Sequence, residues 1–301
     1  MNFRPTNWRR SVTNSEPIVV SSSDNITIGD CLKCATQLAH VSDSARLDIE
    51  VLLCRVLQKE RSFLFTWPET VLTLVQRDLF EQAVVRRTKG EPVAYITGER
   101  EFWSLALCTS AATLIPRPDT EVLVEAALQV LPATDCSLLD LGTGTGAVAL
   151  AIASERPLCN IDAVDFSQEV LELAEKNRLR HHLDKVAIFQ SDWFLNVDKK
   201  YSVIVSNPPY IDGADAHLSQ GDVAFEPRTA LVAEEAGFAD LRAIVQESSE
   251  YLECDGWLLL EHGWQQGQAL MALFSQHAYR NIKTIKDYSG KDRVTMGQRA
   301  I

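Results

Sequence analysis

No stretch of this chain approaches the roughly 20 consecutive apolar residues that crossing a bilayer requires, and its first residues lack the apolar core of a secretion signal. A membrane-spanning or exported protein is therefore not expected. Basic residues are also in short supply, with 29 Lys and Arg against 41 Asp and Glu and a formal net charge of -12. A broad grip on nucleic acid needs cations to displace condensed counterions, so that class of function is disfavoured and only a local basic patch would serve it. Cysteine is too scattered for a disulfide framework. The seven thiols (Cys31, Cys34, Cys54, Cys108, Cys136, Cys159, Cys254) are odd in number and lie in apolar segments, which suits reduced core residues in a reducing, cytoplasmic compartment. Cys31 and Cys34 lack a second Cys or His pair at zinc spacing, so no metal is expected. The chain has no internal repeat, no low-complexity tract and no evident Ser-His-Asp constellation.

What is present is ordinary globular material, 46% hydrophobic and 23% charged over 301 residues, enough for about two domains. Residues 1–25 are polar and rich in Ser and Asn, and read as a loose extension. From Thr27, a helix-capping residue, Ile28, Cys31, Leu32, Ala35 and Leu38 recur at helical spacing. Further helical patterns cover residues 44–57, 69–74 and 75–89, with Pro68 and Gly90 as breaks, so residues 26–90 read as a small helical bundle. Residues 91–115 change to aromatic and alternating side chains, the pattern of a β-hairpin linker. Over residues 116–301 short apolar runs alternate with amphipathic ones, which predicts an α/β domain with a parallel sheet wrapped by helices. Its strands are expected at 137–141, 161–165, 186–190, 202–206 and 256–261, with a final pair near 281–287 and 292–299.

The first of these strands runs straight into Gly142-Thr143-Gly144-Thr145-Gly146, and a helical pattern follows. Glycines there let the backbone turn tightly and approach a ligand, while the helix start offers unpaired N–H groups. The second strand ends at Asp165, where a carboxylate can accept both hydroxyls of a ribose. Nicotinamide enzymes and S-adenosylmethionine enzymes both use such an acid, so Asp165 alone does not choose between them. The third strand leads to Asp192, suited to accept from an adenine amino group, and to Trp193, suited either to cover the adenine or simply to pack.

The fourth strand opens into Asn207-Pro208-Pro209-Tyr210. An amide or aromatic amino nitrogen is a poor nucleophile because its lone pair is delocalised. The Asn207 side-chain oxygen and the Pro208 backbone oxygen can together engage both N–H bonds of one NH2 group and turn its lone pair toward an incoming methyl. The two prolines stiffen the loop beforehand, and Tyr210 can hold a planar target group in line. In isolation the tetrapeptide would read as a solvated turn; downstream of the glycine loop and Asp165 it reads as a site.

Together these motifs resemble the HemK/PrmC family of N(5)-glutamine methyltransferases. The resemblance covers about residues 26–301 and extends to GEPVAYITGEREFWSL, LIPRPDTE, LDLGTGTGAVALAIASERP, VSNPPYID, GDVAFEPRTAL and GWLLLEHGWQQG. It implies a Rossmann-like, seven-stranded methyltransferase domain behind a helical substrate-recognition domain. It also implies S-adenosylmethionine as the methyl donor, S-adenosylhomocysteine as the product, and the glutamine of the Gly-Gly-Gln loop of peptide chain release factors as the acceptor. Gly142 to Gly146, Asp165 and Trp193 are implied as cofactor contacts, Asn207 to Tyr210 as the clasp on glutamine, and Phe102 as a wall of the glutamine pocket. Arg117 and Glu121 lie in a signature segment and are left between a salt bridge and a role in the site. A cytoplasmic monomer without direct nucleic-acid contact is expected. Two other enzymes would use the same loop, a ribosomal-protein glutamine methyltransferase and an adenine-amino methyltransferase. A non-catalytic scaffold would not need both motifs intact.

Overall fold

The structure is a computed structural model that describes residues 25–132, 134 and 136–300. The extension expected over residues 1–25 lies, apart from Asn25, outside the described residues. The chain divides into two compact units, one ending at Gly90 and the other beginning at Glu91.

The first unit is helical. Helix α1 (Ile28–Lys33) starts at a capping box in which the Thr27 hydroxyl accepts from the Asp30 N–H and the Asp30 carboxylate accepts from the Thr27 N–H, both at 3.2 Å. A 3-10 turn carries it to Leu38. Helices α2 (Ala45–Leu57), α3 (Arg61–Thr66) and α4 (Leu74–Thr88) follow, the last behind a second capping box formed by Thr73 and Gln76. Residues 69–74 do not form the helix that their spacing predicts. Pro68 ends the preceding turn, and the segment instead pairs as extended backbone, with the Ile28 N–H donating to the Thr70 carbonyl and the Leu72 N–H to the Ile26 carbonyl. The helix lies earlier, at α3. Arg87 of α4 meets Asp48 of α2 at 2.7 Å with both side chains buried, a pair whose half-removal would strand a charge in the core.

The second unit opens with helix α5 (Val93–Thr97) and an antiparallel hairpin of β1 (Glu99–Phe102) and β2 (Leu105–Cys108). The hairpin is thus shorter than the 91–115 segment expected for it. Its two-residue turn, Trp103-Ser104, takes φ values of 50° and 60°, normally the province of Asn-Gly. Two carboxylates stabilise the turn: Glu121 accepts from the Trp103 N–H at 3.1 Å and Glu155 from its indole N–H at 2.9 Å.

The remaining elements are α6 (Glu121–Val130), β3 (Ser137–Leu141), α7 (Ala147–Glu155), β4 (Asn160–Asp165), α8 (Gln168–Arg180), β5 (Val186–Gln190), β6 (Tyr201–Ser206), the short β7 (Ile211–Asp212) and β8 (Val232–Ala233), α9 (Glu234–Gly237), α10 (Ala239–Tyr251), β9 (Leu252–Glu261), α11 (Gly267–Gln276), β10 (Tyr279–Lys286) and β11 (Asp292–Arg299). Seven strands form one sheet in the order β10-β11-β9-β6-β3-β4-β5. All neighbours are parallel except β11, which runs antiparallel between β9 and β10. Both faces are apolar because both are covered. Leu138, Ile161, Val203 and Val205 face one cluster with α6 and α7, while Leu139, Leu141, Val164 and Ile204 face another with α10 and α11. Each such side chain, fully buried, contributes roughly 1.5 to 3 kcal/mol. Strand order reverses between β3 and β6, and at such a switch point the loops leaving the carboxyl ends diverge and open a crevice.

Candidate functional site

Leu141 pairs with Ser206, so the glycine loop after β3 and the Asn-Pro-Pro-Tyr loop after β6 leave the sheet side by side. A cavity of about 500 Å³ opens between them, lined by Gly142, Thr143, Gly144, Thr145, Asp165, Asp192, Trp193, Asn207, Pro208 and Pro209 among others. A second, of about 330 Å³, is lined by Pro118, Tyr210, Ile211, Val223 and Leu231 and shares Leu114, Arg117, Asn207, Pro208 and Ala230 with the first. Gly146 stands just behind the loop, where it starts α7 with φ 83°.

Gly144 has φ 57°, and a Cβ placed on it would meet no protein atom within 4 Å. That left-handed φ is what favours glycine here, and the open space leaves the loop backbone facing the cavity. Asp165 holds this loop from the next strand, accepting from the Gly144 N–H at 3.1 Å and the Ser167 N–H at 3.2 Å. Burial raises its pKa, while the backbone N–H groups oppose the rise. The Trp193 ring packs on Gly142, and its carbonyl accepts from the Ser191 hydroxyl at 2.8 Å. Four carboxylates, Asp140, Asp165, Asp192 and Asp240, line the larger cavity against one guanidinium, Arg117. Such a lining fits a ligand that is cationic and rich in hydroxyl and amino donors, which describes S-adenosylmethionine.

Asp140 and Asp240 were not among the expected site residues. Asp140 accepts from the Thr143 hydroxyl at 2.7 Å and from the Ala149 N–H at 3.2 Å, so it fastens the glycine loop to the start of α7. Burial pushes its carboxyl up to about 7. Its signal was visible as an acid inside an apolar strand two residues before Gly142. Asp240 lies in the first turn of α10, with its pKa raised by burial and then by the neighbouring Asp192 and Glu234 charges. No local pattern marks it.

The Asn-Pro-Pro-Tyr loop is tied at its two ends and by the serine before it. The Ser206 hydroxyl donates to the Leu141 carbonyl at 2.7 Å, Asn207 Nδ2 donates to the Thr120 hydroxyl at 3.2 Å, and the Tyr210 hydroxyl donates to Glu261 at 3.1 Å. Gln266 Nε2 donates to the Tyr210 and Gly237 carbonyls, each at 3.1 Å. At Gly237, where φ is 84°, a Cβ would collide with the Tyr210 carbonyl, so only glycine admits this approach. Burial, followed by the Glu261 charge, drives the Tyr210 pKa far upward and keeps it a donor. The Pro208 carbonyl receives no hydrogen bond among the described residues.

Arg117 forms a salt bridge and also lines both cavities. Its Nη2 meets both Glu226 oxygens at 2.7 and 2.6 Å, and the Ile115 N–H donates to the same carboxylate. Glu121 caps the hairpin turn, as above. Phe102 is not brought to either cavity. It is 2% exposed in the core with Leu107, Val122 and Leu123, because the pleat of β1 turns this residue inward. His262 is fully buried away from the cavities, its Nδ1–H donating to the Gly263 carbonyl and its Nε2 accepting from Thr295, both at 2.9 Å. His181, at the end of α8, reaches the Ala106 carbonyl at 3.0 Å.

Two family models match the chain, the PrmC N-terminal domain over residues 31–98 and the methyltransferase small domain over residues 118–227. Among curated relatives, the release factor glutamine methyltransferase of Aliivibrio fischeri is 54% identical over 259 residues, covering 85% of this chain and 91% of that protein. The release factor glutamine methyltransferase of Escherichia coli is 50% identical over 268 residues, covering 89% and 97%. Among solved structures, a methyltransferase from Pyrococcus furiosus aligns with a TM-score of 0.51 at 18% identity, over 72% of this chain and 98% of that one, a likeness of fold.

Proposed function

This chain belongs to the release factor glutamine methyltransferases, and from that membership we propose how its own residues divide the work. It is an S-adenosylmethionine-dependent protein-glutamine N-methyltransferase. The acceptor is taken to be the glutamine of the Gly-Gly-Gln loop of peptide chain release factors, with one chain as the working unit, protein alone as the substrate, and the cytoplasm as its place. No helix among the described residues is long and apolar enough to cross a membrane.

When bound, the cofactor supplies a methyl group on a sulfonium. Gly142 to Gly146 would cradle it, Asp165 would accept from its ribose, and Asp192 and Trp193 would hold its adenine. Asn207 and Pro208 accept the two N–H bonds of the acceptor amide, which loosens conjugation with the carbonyl and directs the nitrogen lone pair toward the first cavity. Tyr210 and Pro209 flank the amide. The scheme needs no strong base, since the alkylated nitrogen is acidic and can release its proton to water. The observation that supports the reading best is that Asn207 and Pro208 line both cavities, so one pair of acceptors stands between the acid-lined space and its smaller neighbour.

The test is incubation with methyl-labelled cofactor and, in separate reactions, a release factor, ribosomal proteins and DNA, followed by locating the label. Label on a release-factor glutamine is expected, and label confined to another substrate would overturn the assignment. Asn207→Ala is expected to abolish transfer while cofactor binding, followed by calorimetry, is retained.

A further inference from the structure

The geometry points to Gln266 as a positioning residue for Tyr210, holding the far end of the Asn-Pro-Pro-Tyr loop from the start of α11. This rests on the reading above in which Tyr210 flanks the acceptor amide. A planar group that must lie in line with a sulfonium methyl is only as well aimed as the surface it lies on. The Tyr210 hydroxyl is received by Glu261 at 3.1 Å, which fixes the tip of the ring. Two prolines stiffen the backbone leading to Tyr210. Beyond it the chain enters the two-residue strand β7, so the Tyr210 carbonyl is where the loop needs a fastening.

Gln266 supplies it. This residue caps the start of α11, and its backbone is pinned on both sides: the N–H donates to the Gly263 carbonyl at 2.8 Å, and the carbonyl accepts from the Leu270 N–H at 2.9 Å. Its side-chain amide uses its oxygen and both of its hydrogens. Oε1 accepts from the Gly263 N–H at 2.8 Å, while Nε2 donates to the Tyr210 and Gly237 carbonyls, each at 3.1 Å. The partners fix which end is which, since an N–H can face only the oxygen and two carbonyls can face only the NH2. A role in starting the helix accounts for the Oε1 bond alone. The two hydrogens on Nε2 go to carbonyls 56 and 29 residues earlier in the chain, which a helix start has no need to reach.

The backbone on the other side is bent to meet the same group. Glu235, Ala236 and Gly237 take φ values of 54°, 55° and 84° in succession. A left-handed run of this kind is unfavourable for the two residues that carry a Cβ, and it persists only where the surroundings hold it. It presses Gly237 so closely on the Tyr210 carbonyl that a Cβ there would overlap it. Tyr210 is thus held from behind between a strained turn and the start of a helix, and the NH2 of Gln266 joins the two.

The experiment measures kcat and release-factor KM for methyl transfer by the wild type, Gln266→Met, Gln266→Glu and the neighbouring control Gln265→Met. Cofactor Kd and a melting curve are taken for each, with rates measured well below every midpoint. Methionine matches the length of glutamine without its donors, and glutamate keeps the acceptor for Gly263 but turns lone pairs toward the two carbonyls. For both, kcat is expected to fall about 10- to 100-fold with cofactor Kd unchanged, while the exposed Gln265 tolerates the same substitution. A Gln266→Met enzyme with wild-type kcat would overturn the inference, even if it melts earlier, because Gln266 would then brace the fold and nothing more. A rise in KM alone, a cofactor Kd that weakens in step with kcat, or an equally slow Gln265 variant would overturn it too. If neither substitution at 266 gives folded protein, Gln266→Asn, which keeps the amide but withdraws it by one methylene, decides by the same readouts. A wild type that leaves release-factor glutamine unlabelled would instead count against the proposed function.

Discussion

Asp165 shows how one side chain serves the fold and the ligand together. Two backbone N–H groups already hold its oxygens, yet a carboxylate has lone pairs to spare, and the residue lines the larger cavity. Replacing it with alanine is expected to weaken cofactor binding by about 1.5 to 3 kcal/mol, the usual scale for a hydrogen bond to a charged group. Titration calorimetry showing an unchanged Kd would remove Asp165 from the ligand contacts. His262 offers a different kind of test, because burial lowers its pKa below the ordinary value of 6.5. The folded protein keeps this ring neutral where the unfolded chain takes up a proton. The unfolded state then binds more protons, so stability falls as pH drops below about 6.5, by up to about 1.4 kcal/mol per pH unit. The raised Asp140 carboxyl contributes a slope of opposite sign over this range in any variant that keeps it, so the test is the difference: between pH 7.5 and 5.5, urea unfolding should show the wild type losing stability relative to His262→Asn as the pH falls.

At the scale of elements, α8 couples the hairpin to the cofactor loop through Asn177, which is fully buried. Its Nδ2 donates to the Cys108 carbonyl at 3.1 Å and to the Thr145 carbonyl at 2.9 Å, and its Oδ1 accepts from the Cys108 N–H at 2.7 Å. Asn177→Leu strands all three backbone groups and is expected to cost about 2 to 4 kcal/mol. It should also weaken cofactor binding without any contact to the ligand, since Thr145 belongs to the glycine loop. A variant with the wild-type urea midpoint would contradict this. Elements differ in how plainly they announce themselves. The strands at 137–141 and 186–190 are short and mostly apolar, and their limits agree with the sequence pattern. Helix α3 is six residues long, too brief to establish a period, and its neighbour at 69–74 looks helical until the backbone partners of Ile26 and Ile28 claim it. The turn at Trp103-Ser104 carries no glycine or asparagine, so the hairpin's extent and the inward facing of Phe102 were not readable.

At the scale of the molecule, the residues expected in the site are legible where chemistry is local. The glycine loop after one apolar strand and Asn-Pro-Pro-Tyr after another, read together, mark segments that line the larger cavity. What escapes is whatever depends on distant partners. Thr120 meets Asn207 87 residues away, and Arg117 meets Glu226 109 residues away. Nothing in either neighbourhood says so, because the register of β6 with β9 and the fastening of residues 115–117 belong to the folded sheet.

The inserted antiparallel strand has a bearing on how this sheet comes together. β11 is the last strand in sequence yet has β9 on one side and β10 on the other, so the order of synthesis and the order of assembly are at odds. Until residues 292–299 wedge into place, β9 keeps an open ladder, Thr295 has not reached His262, and Arg293 has not reached Asp119. Clipping this stretch would leave an internal gap where pruning a margin such as β5 would only narrow the array, and Asp119 and Asp287 would lose their shared guanidinium partner.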